Sequence, residues 1–244
     1  MKMAHSFIFA ALLFVGFTVQ AASDLPRNLS TSEQKRALEI LGLGSASKIL
    51  ANPYPLGGYT GVEVGLTAEF IPLEDLSNLG TQTNDSGEFN YYTLTIGKGL
   101  YYNIDTLLYF TPAIQDQKVQ TFGGQLRWGF YEASFFPISF SANLYAGGAN
   151  FSNLINVTTM GWDLVATVAI DNVALYFGGG RINAHGKFIG GTNGITSSGE
   201  TETQTSSENH TFAGVNVNVS KFFVALEIDK YVDSVYAGKL GFRF

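Results

Sequence analysis

From Tyr59 to its last residue the chain alternates apolar and small polar side chains with a period of two, which fixes extended strands with two unlike faces. Across residues 61–70, Val62, Val64, Leu66, Ala68 and Phe70 share one face, while Gly61, Glu63, Gly65, Thr67 and Glu69 share the other. The pattern returns at 122–130, 138–147, 159–168, 213–220 and 236–244, where Tyr236, Leu240, Phe242 and Phe244 oppose Ala237, Lys239, Gly241 and Arg243. With the less regular stretches included, the reading gives about ten strands, near 59–71, 89–99, 102–112, 118–130, 136–148, 155–169, 172–181, 209–219, 222–231 and 234–244. Several exceed the roughly five or six residues usual in globular sheets and reach the ~9–11 that a tilted strand needs to cross a bilayer.

Alternation alone does not say which face meets water, because a soluble sandwich has the same period. Composition separates the cases. Only 14% of the residues are charged, against roughly 25% in soluble domains, while 28 glycines and many Ser, Thr and Asn hold the mean hydropathy to +0.12. Polar faces this poor in charge suit a narrow lumen better than a water-facing exterior. Beyond the N-terminus no apolar run approaches the ~20 residues of a membrane helix, which excludes helical transport. The absence of cysteine excludes disulfide scaffolds, thiolate metal sites and cysteine nucleophiles, and a net charge of −6 excludes a basic nucleic-acid footprint.

Residues 1–22 read as a secretory signal: Lys2, an apolar stretch from Phe7 to Val19, then Val19-Gln20-Ala21 before the cleavage point. Residues 23–57 are expected to form a helical prologue on the periplasmic side, capped near Ser30 and closed by Pro53 and Pro55. It would either plug the barrel or dock as a short helix over an opening. Both chain ends are expected at the short-turn end.

Aromatic residues gather at alternate connections: Tyr101 and Tyr102, then Trp128, Phe130, Phe135 and Phe136, then Phe222 and Phe223. That placement predicts a girdle at one rim. The connections themselves alternate between short turns and long polar loops at 72–88 and 182–208. The terminal strand, with Tyr236, Leu240, Phe242 and Phe244, resembles the C-terminal β-signal through which bacterial outer-membrane proteins are recognised for insertion. The chain from 58 to 244 therefore resembles small bacterial outer-membrane β-barrels as a class, without a fingerprint of one family. The resemblance implies an all-β, transmembrane, up-and-down antiparallel barrel in the cell outer membrane of a Gram-negative bacterium. It also implies contact with outer-membrane lipids and lipopolysaccharide, and with the barrel-assembly machinery during insertion.

Chemistry is sparse. Omptin proteases and lipid-modifying barrels need a histidine for proton transfer, and after the signal only His185 and His210 remain. Both read as solvated residues of the 182–208 region, so no catalytic residue is assigned. Either histidine at hydrogen-bond distance from a carboxylate would favour an outer-rim enzyme instead. The glycines at 178–191 lack P-loop spacing, and the loop acids show no calcium-loop register, so no cofactor or metal is expected. The inward charges carry more information: Glu63, Glu69, Arg127, Asp163, Glu227, Lys239 and Arg243. Closure of the barrel predicts Glu63 beside Lys239 and Arg243, and the last hairpin predicts Glu227 opposite Lys239. These form either a buried ion-pair network or a charged constriction. The expected role is non-enzymatic, a narrow passive channel or a surface-exposed structural barrel; a soluble exported β-sandwich is the remaining alternative.

Overall fold

The computed structural model describes residues 25–244 apart from 54, 73, 82–87 and 113–118. The signal segment lies outside the described residues. Ten strands follow one another: β1 Val62–Pro72, β2 Glu88–Gly99, β3 Ile104–Phe110, β4 Val119–Glu132, β5 Ile138–Phe151, β6 Ile155–Ile170, β7 Val173–Phe188, β8 Glu202–Val219, β9 Phe222–Lys230 and β10 Ser234–Arg243. Each pairs antiparallel with its sequence neighbour, and β1 pairs with β10 to close the barrel. The seam runs from Glu63↔Arg243 to Phe70↔Tyr236, and Val62 and Phe244 exchange backbone hydrogen bonds of 2.8 and 3.0 Å beyond it. Closure pairs both sides of each strand through the middle of the wall, while Glu202–His210 of β8 extend along β7 past the last pair with β9, Thr211↔Lys230.

At one end the connections are tight, spanning 100–103, 133–137, 171–172 and 220–221. Tyr102, Asn103, Asp171 and Ser220 there take positive φ. At the other end, 73–87 and 189–201 are long. The loop expected over 182–208 is therefore shorter. β7 continues to Phe188 and β8 begins at Glu202, because Ile182, Ala184 and Phe188 keep the alternation with their apolar side chains turned inward.

Along β7 the apolar face changes sides. Val173, Leu175 and Phe177 point outward and exposed; past Gly178–Gly180, Ile182, Ala184 and Phe188 point inward and buried, while Arg181, Asn183, His185 and Lys187 point outward. β6 does the same in reverse order, with Ile155 and Val157 inside and Met160, Trp162, Leu164 and Ile170 outside. The wall is thus inside-out toward the tight turns and built like a soluble protein toward the long loops. The outward apolar stretch is about nine residues per strand, which at a tilt of ~40° rises roughly 23 Å, close to the apolar band of a membrane barrel.

The described residues of 25–57 run through the barrel, one of the two placements the sequence left open, and they start at the rim opposite the one expected for both chain ends. Arg27 bridges Thr81 and Leu29 bridges Thr196, both at the long-loop end. Helix α1, Thr31–Ala37, starts where the Glu33 carboxylate accepts the Ser30 N–H at 2.8 Å, and passes into a wider π-helical turn, Leu38–Leu43. Leu38 and Leu41 pack inside the loop-side half of the wall with Val157, Ile182 and Phe188, in the main apolar core. The chain then descends extended, and the Leu56 N–H reaches the Asp105 carboxylate at 3.0 Å before β1 begins at the tight-turn end. The chain therefore enters at one rim and ends, at Phe244, at the other.

Candidate functional site

The lumen wall at the level of the apolar belt is lined by glycines and by rings lying flat against them. A Cβ on Gly161 would come 2.4 Å from the Tyr145 hydroxyl, one on Gly214 2.3 Å from the Tyr176 ring, and one on Gly241 2.1 Å from the Phe223 ring. Glycine on one strand lets the ring of its neighbour lie along the wall, which leaves the axis open for a single extended chain.

Charged groups on the wall then meet that chain. Glu63 accepts from Lys239 Nζ at 2.6 Å and from Arg243 Nε at 2.8 Å, tying β1 to β10 across the seam. Glu69 accepts from Lys48 Nζ at 2.6 Å and from the Tyr91 hydroxyl at 2.8 Å. Lys48 also donates to the carbonyls of Gly44 and Ala46, at 2.9 and 3.0 Å. Glu227 accepts the backbone N–H groups of Ile49 and Leu50, at 3.0 and 2.7 Å, and the Tyr176 hydroxyl at 2.6 Å. Arg127 donates to the Ile49 carbonyl at 3.3 Å, and Gln125 to the Lys48 carbonyl at 2.6 Å. The threaded segment is thus held by its own backbone groups, which a lumen of apolar side chains would have left unsatisfied.

Glu63, Glu69, Arg127, Asp163, Glu227 and Lys239 are buried and turned inward, and the Arg243 side chain is 22% exposed. Glu227 does not face Lys239. The turn 231–233 sets the register Glu227↔Ala237 and Lys239↔Ala225, so Glu227 is free to take the threaded segment. Asp105, Asp229, Lys48, Tyr145 and Tyr176 belong to the same interior and were not singled out from the sequence. Asp105 and Asp229 share the inward parity of their strands and were legible in it; Lys48 was not, because nothing local marks its partner.

His210 is not a solvated loop residue. β8 carries it inward, 4% exposed, with Nε2 2.7 Å from Asp163 Oδ1 and 3.2 Å from the Tyr145 hydroxyl, and its ring stacks on Tyr231 at 4.8 Å. Asn143 donates to the same aspartate at 3.2 Å. His185 faces outward on β7.

Of the expected girdle, Tyr101, Tyr102, Trp128, Phe130, Phe135, Phe136 and Phe222 are exposed around the tight-turn rim. Phe223 is not among them. Neighbouring residues of a strand face opposite sides, so Phe222 meets the exterior while Phe223 is buried between the Lys239 ammonium and the Arg243 guanidinium, at 5.6 and 4.7 Å. In the terminal strand Tyr236, Leu240 and Phe244 are exposed on the outer wall, and Phe242 packs edge-on against Phe222 at 5.0 Å.

With the segment in place, the cavity left between Lys48, Thr67, Thr93 and Tyr109 is about 20 Å3, room for about one water. Among the described residues no cluster of His, Asp and Glu is arranged to hold a metal ion.

No protein-family model matches the chain, and no curated protein matches it. Solved structures similar to it include the N-terminal β-barrel domain of OprF from Pseudomonas aeruginosa, at 11% identity and a TM-score of 0.40, covering 77% of this chain and 99% of that one. Ail, the attachment invasion locus protein of Yersinia pestis, is 18% identical with a TM-score of 0.32, covering 75% and 97%. The outer membrane protein Omp33 of Acinetobacter baumannii is 10% identical with a TM-score of 0.33, covering 79% and 100%.

Proposed function

We propose that the protein is an integral outer-membrane barrel, non-enzymatic, whose lumen is closed by its own N-terminal segment, and that it serves as a structural barrel presenting the β7–β8 hairpin at the cell surface. The observation that carries the closed state is the threaded segment, fixed to Glu69, Glu227, Arg127 and Asp105 along the length of the lumen. The observation that carries membrane insertion is the change of apolar face along β6 and β7, since only a lipid-facing belt rewards Leu164, Leu175 and Phe177 for being exposed. The tight-turn rim, with its aromatic girdle, then lies toward the periplasm. Conductance requires displacement of the segment, so a narrow channel is a state of this barrel only after unplugging.

The contact of His210 with Asp163 favours the enzyme reading by its geometry alone. Against it, the ring is sealed inside the wall, and among the described residues the hydroxyl at hydrogen-bond distance is the phenol of Tyr145, with no Ser or Thr placed for attack.

Extraction and gel migration test the first part: the protein should require detergent and migrate differently before and after boiling. Planar-bilayer recording tests the second. The intact barrel should be silent and a variant lacking residues 25–56 should conduct; steady current from the intact barrel would refute the closed state. Peptide or lipid turnover abolished by His210→Gln would refute the non-enzymatic reading.

A further inference from the structure

Above the apolar row Val173, Leu175 and Phe177, the outward positions of β7 are Arg181, Asn183, His185 and Lys187, and the outward row of β9 ends at Lys230. In a chain of net charge −6, none of the outward side chains of β6 to β9 is acidic. Among the described residues no carboxylate lies in salt-bridge contact with Arg181, His185, Lys187 or Lys230. Among the described residues the positive charge on this side of the wall has no ion-pair partner, and it begins where the apolar belt stops.

The same rungs enclose a shallow hollow of about 470 Å3, floored by Thr158, Asn183, Thr205 and Ser207 and bordered by Met160 and His185. Arg181 donates from Nε to Ser207 Oγ at 3.1 Å, which fixes the guanidinium at the edge of the hollow. Trp162 is its cross-strand partner on β6. A hydroxyl- and amide-lined floor between cationic rims, directly over a greasy wall, matches one amphiphile: sugar hydroxyls for the floor, phosphate for the rims and acyl chains for the belt.

We infer that this face of the barrel binds the phosphorylated sugar headgroup of an outer-leaflet glycolipid, with its acyl chains along Leu164, Leu175 and Phe177. The inference rests on the membrane reading above and adds to it a site and a ligand chemistry. Arg181, with its forked donors, takes a phosphate bidentately; on alternate rungs His185 offers a ring nitrogen and Lys187 a further charge.

The chain has two tryptophans, so Trp128→Phe leaves Trp162 as the reporter beside Arg181. The full chain, folded in detergent, is titrated with lipopolysaccharide, with the same lipid after phosphate removal, and with inorganic phosphate alone. The expected result is a change in Trp162 emission with the phosphorylated lipid, weakened on the order of tenfold or more in Arg181→Gln/His185→Gln/Lys187→Gln and by added salt. The dephosphorylated lipid should bind far more weakly, and millimolar phosphate should not reproduce the signal. Equal binding of the dephosphorylated lipid, an unchanged triple variant, or a full response to phosphate alone overturns the inference. So does a triple variant whose oligomeric mass changes while its lipid titration does not, which would mark the face as a seat for a second copy. The variant's heat-modifiable migration shows that it folds. A wild-type protein that needs no detergent would overturn the membrane reading itself, so the two failures are distinguishable.

Discussion

Replacing Lys48 with methionine keeps the stem of the side chain and removes the ammonium. In the folded barrel that ammonium touches the Glu69 carboxylate at 2.6 Å and two carbonyls of its own segment at 2.9 and 3.0 Å. Glu69 is 7% exposed and would keep the Tyr91 hydroxyl as a donor. Removing one partner of a buried ion pair costs roughly 3–5 kcal/mol, because the other charge stays behind without compensation. The cost falls on the state with the segment seated, since a displaced segment lets water reach Glu69. At 1.4 kcal/mol per tenfold, the seated-to-displaced ratio falls by roughly a hundredfold to a few thousandfold. In planar bilayers Lys48→Met should therefore show openings absent from the wild type, with a lower urea midpoint in detergent. Adding Glu69→Gln removes the stranded charge and should recover most of the loss, so the double variant should lie closer to wild type than Lys48→Met does. A Lys48→Met barrel as silent and as stable as the wild type would refute the reasoning, because it would mean that this ion pair does not hold the segment.

Three further outcomes follow from the same geometry. Gly214→Ala puts a Cβ 2.3 Å from the Tyr176 ring and should cost about 1–3 kcal/mol in urea unfolding, whereas Gly238→Ala, whose nearest contact is the flexible Leu226 side chain at 3.2 Å, should change it little. Phe223→Ala empties the space between Lys239 and Arg243 and should cost about 3–5 kcal/mol; Phe222→Ala, on the lipid side of the same strand, should cost far less. The Glu33 carboxyl is held below its ordinary value by the Ser30 hydroxyl, then by the Gly80 and Ser30 N–H groups. A lowered folded value means that its contribution is complete above the ordinary pKa of 4.5 and is lost as pH falls through the folded one. Amide protection factors at Ser30 and Gly80, corrected for the intrinsic exchange rate at each pH, should fall on that acid side, and Glu33→Gln should remove this pH dependence.

The sequence carried the barrel in its period. On β10 every second residue sets a face, and both the outward Tyr236–Leu240 row and the inward Lys239 follow without any tertiary information. It carried the Glu63 cluster as well, because closure of an up-and-down sheet must place the first strand beside the last. Residues 182–208 were misread because the expectation was that apolar side chains face outward throughout. In Arg181-Ile182-Asn183-Ala184-His185 they turn inward instead, and the pattern resembles a polar loop unless the change of solvent is allowed for. Phe223 was misread by treating adjacent aromatics as one cluster when strand geometry must split them. For residues 25–57 a plug was one of two readings, but the path and the anchors were not legible. The anchors, Lys48 to Glu69 and Leu50 to Glu227, join positions 21 and 177 residues apart, and nothing in the local sequence ranks those contacts above others.

β1 uses its inward carboxylates on two different kinds of partner. Glu63 is satisfied by Lys239 and Arg243 of the last strand, and Glu69 by Lys48 of the segment that precedes β1 in the chain. Closing the seam around an empty lumen would satisfy the first and leave the second to Tyr91 and water; seating the segment in an open sheet would do the reverse. Neither half-finished product has both sets of contacts, so each step completes what the other leaves open. An unfilled cylinder opens to water not only Glu69 but also Glu227 and Asp105, whose donors Ile49, Leu50 and Leu56 belong to the segment.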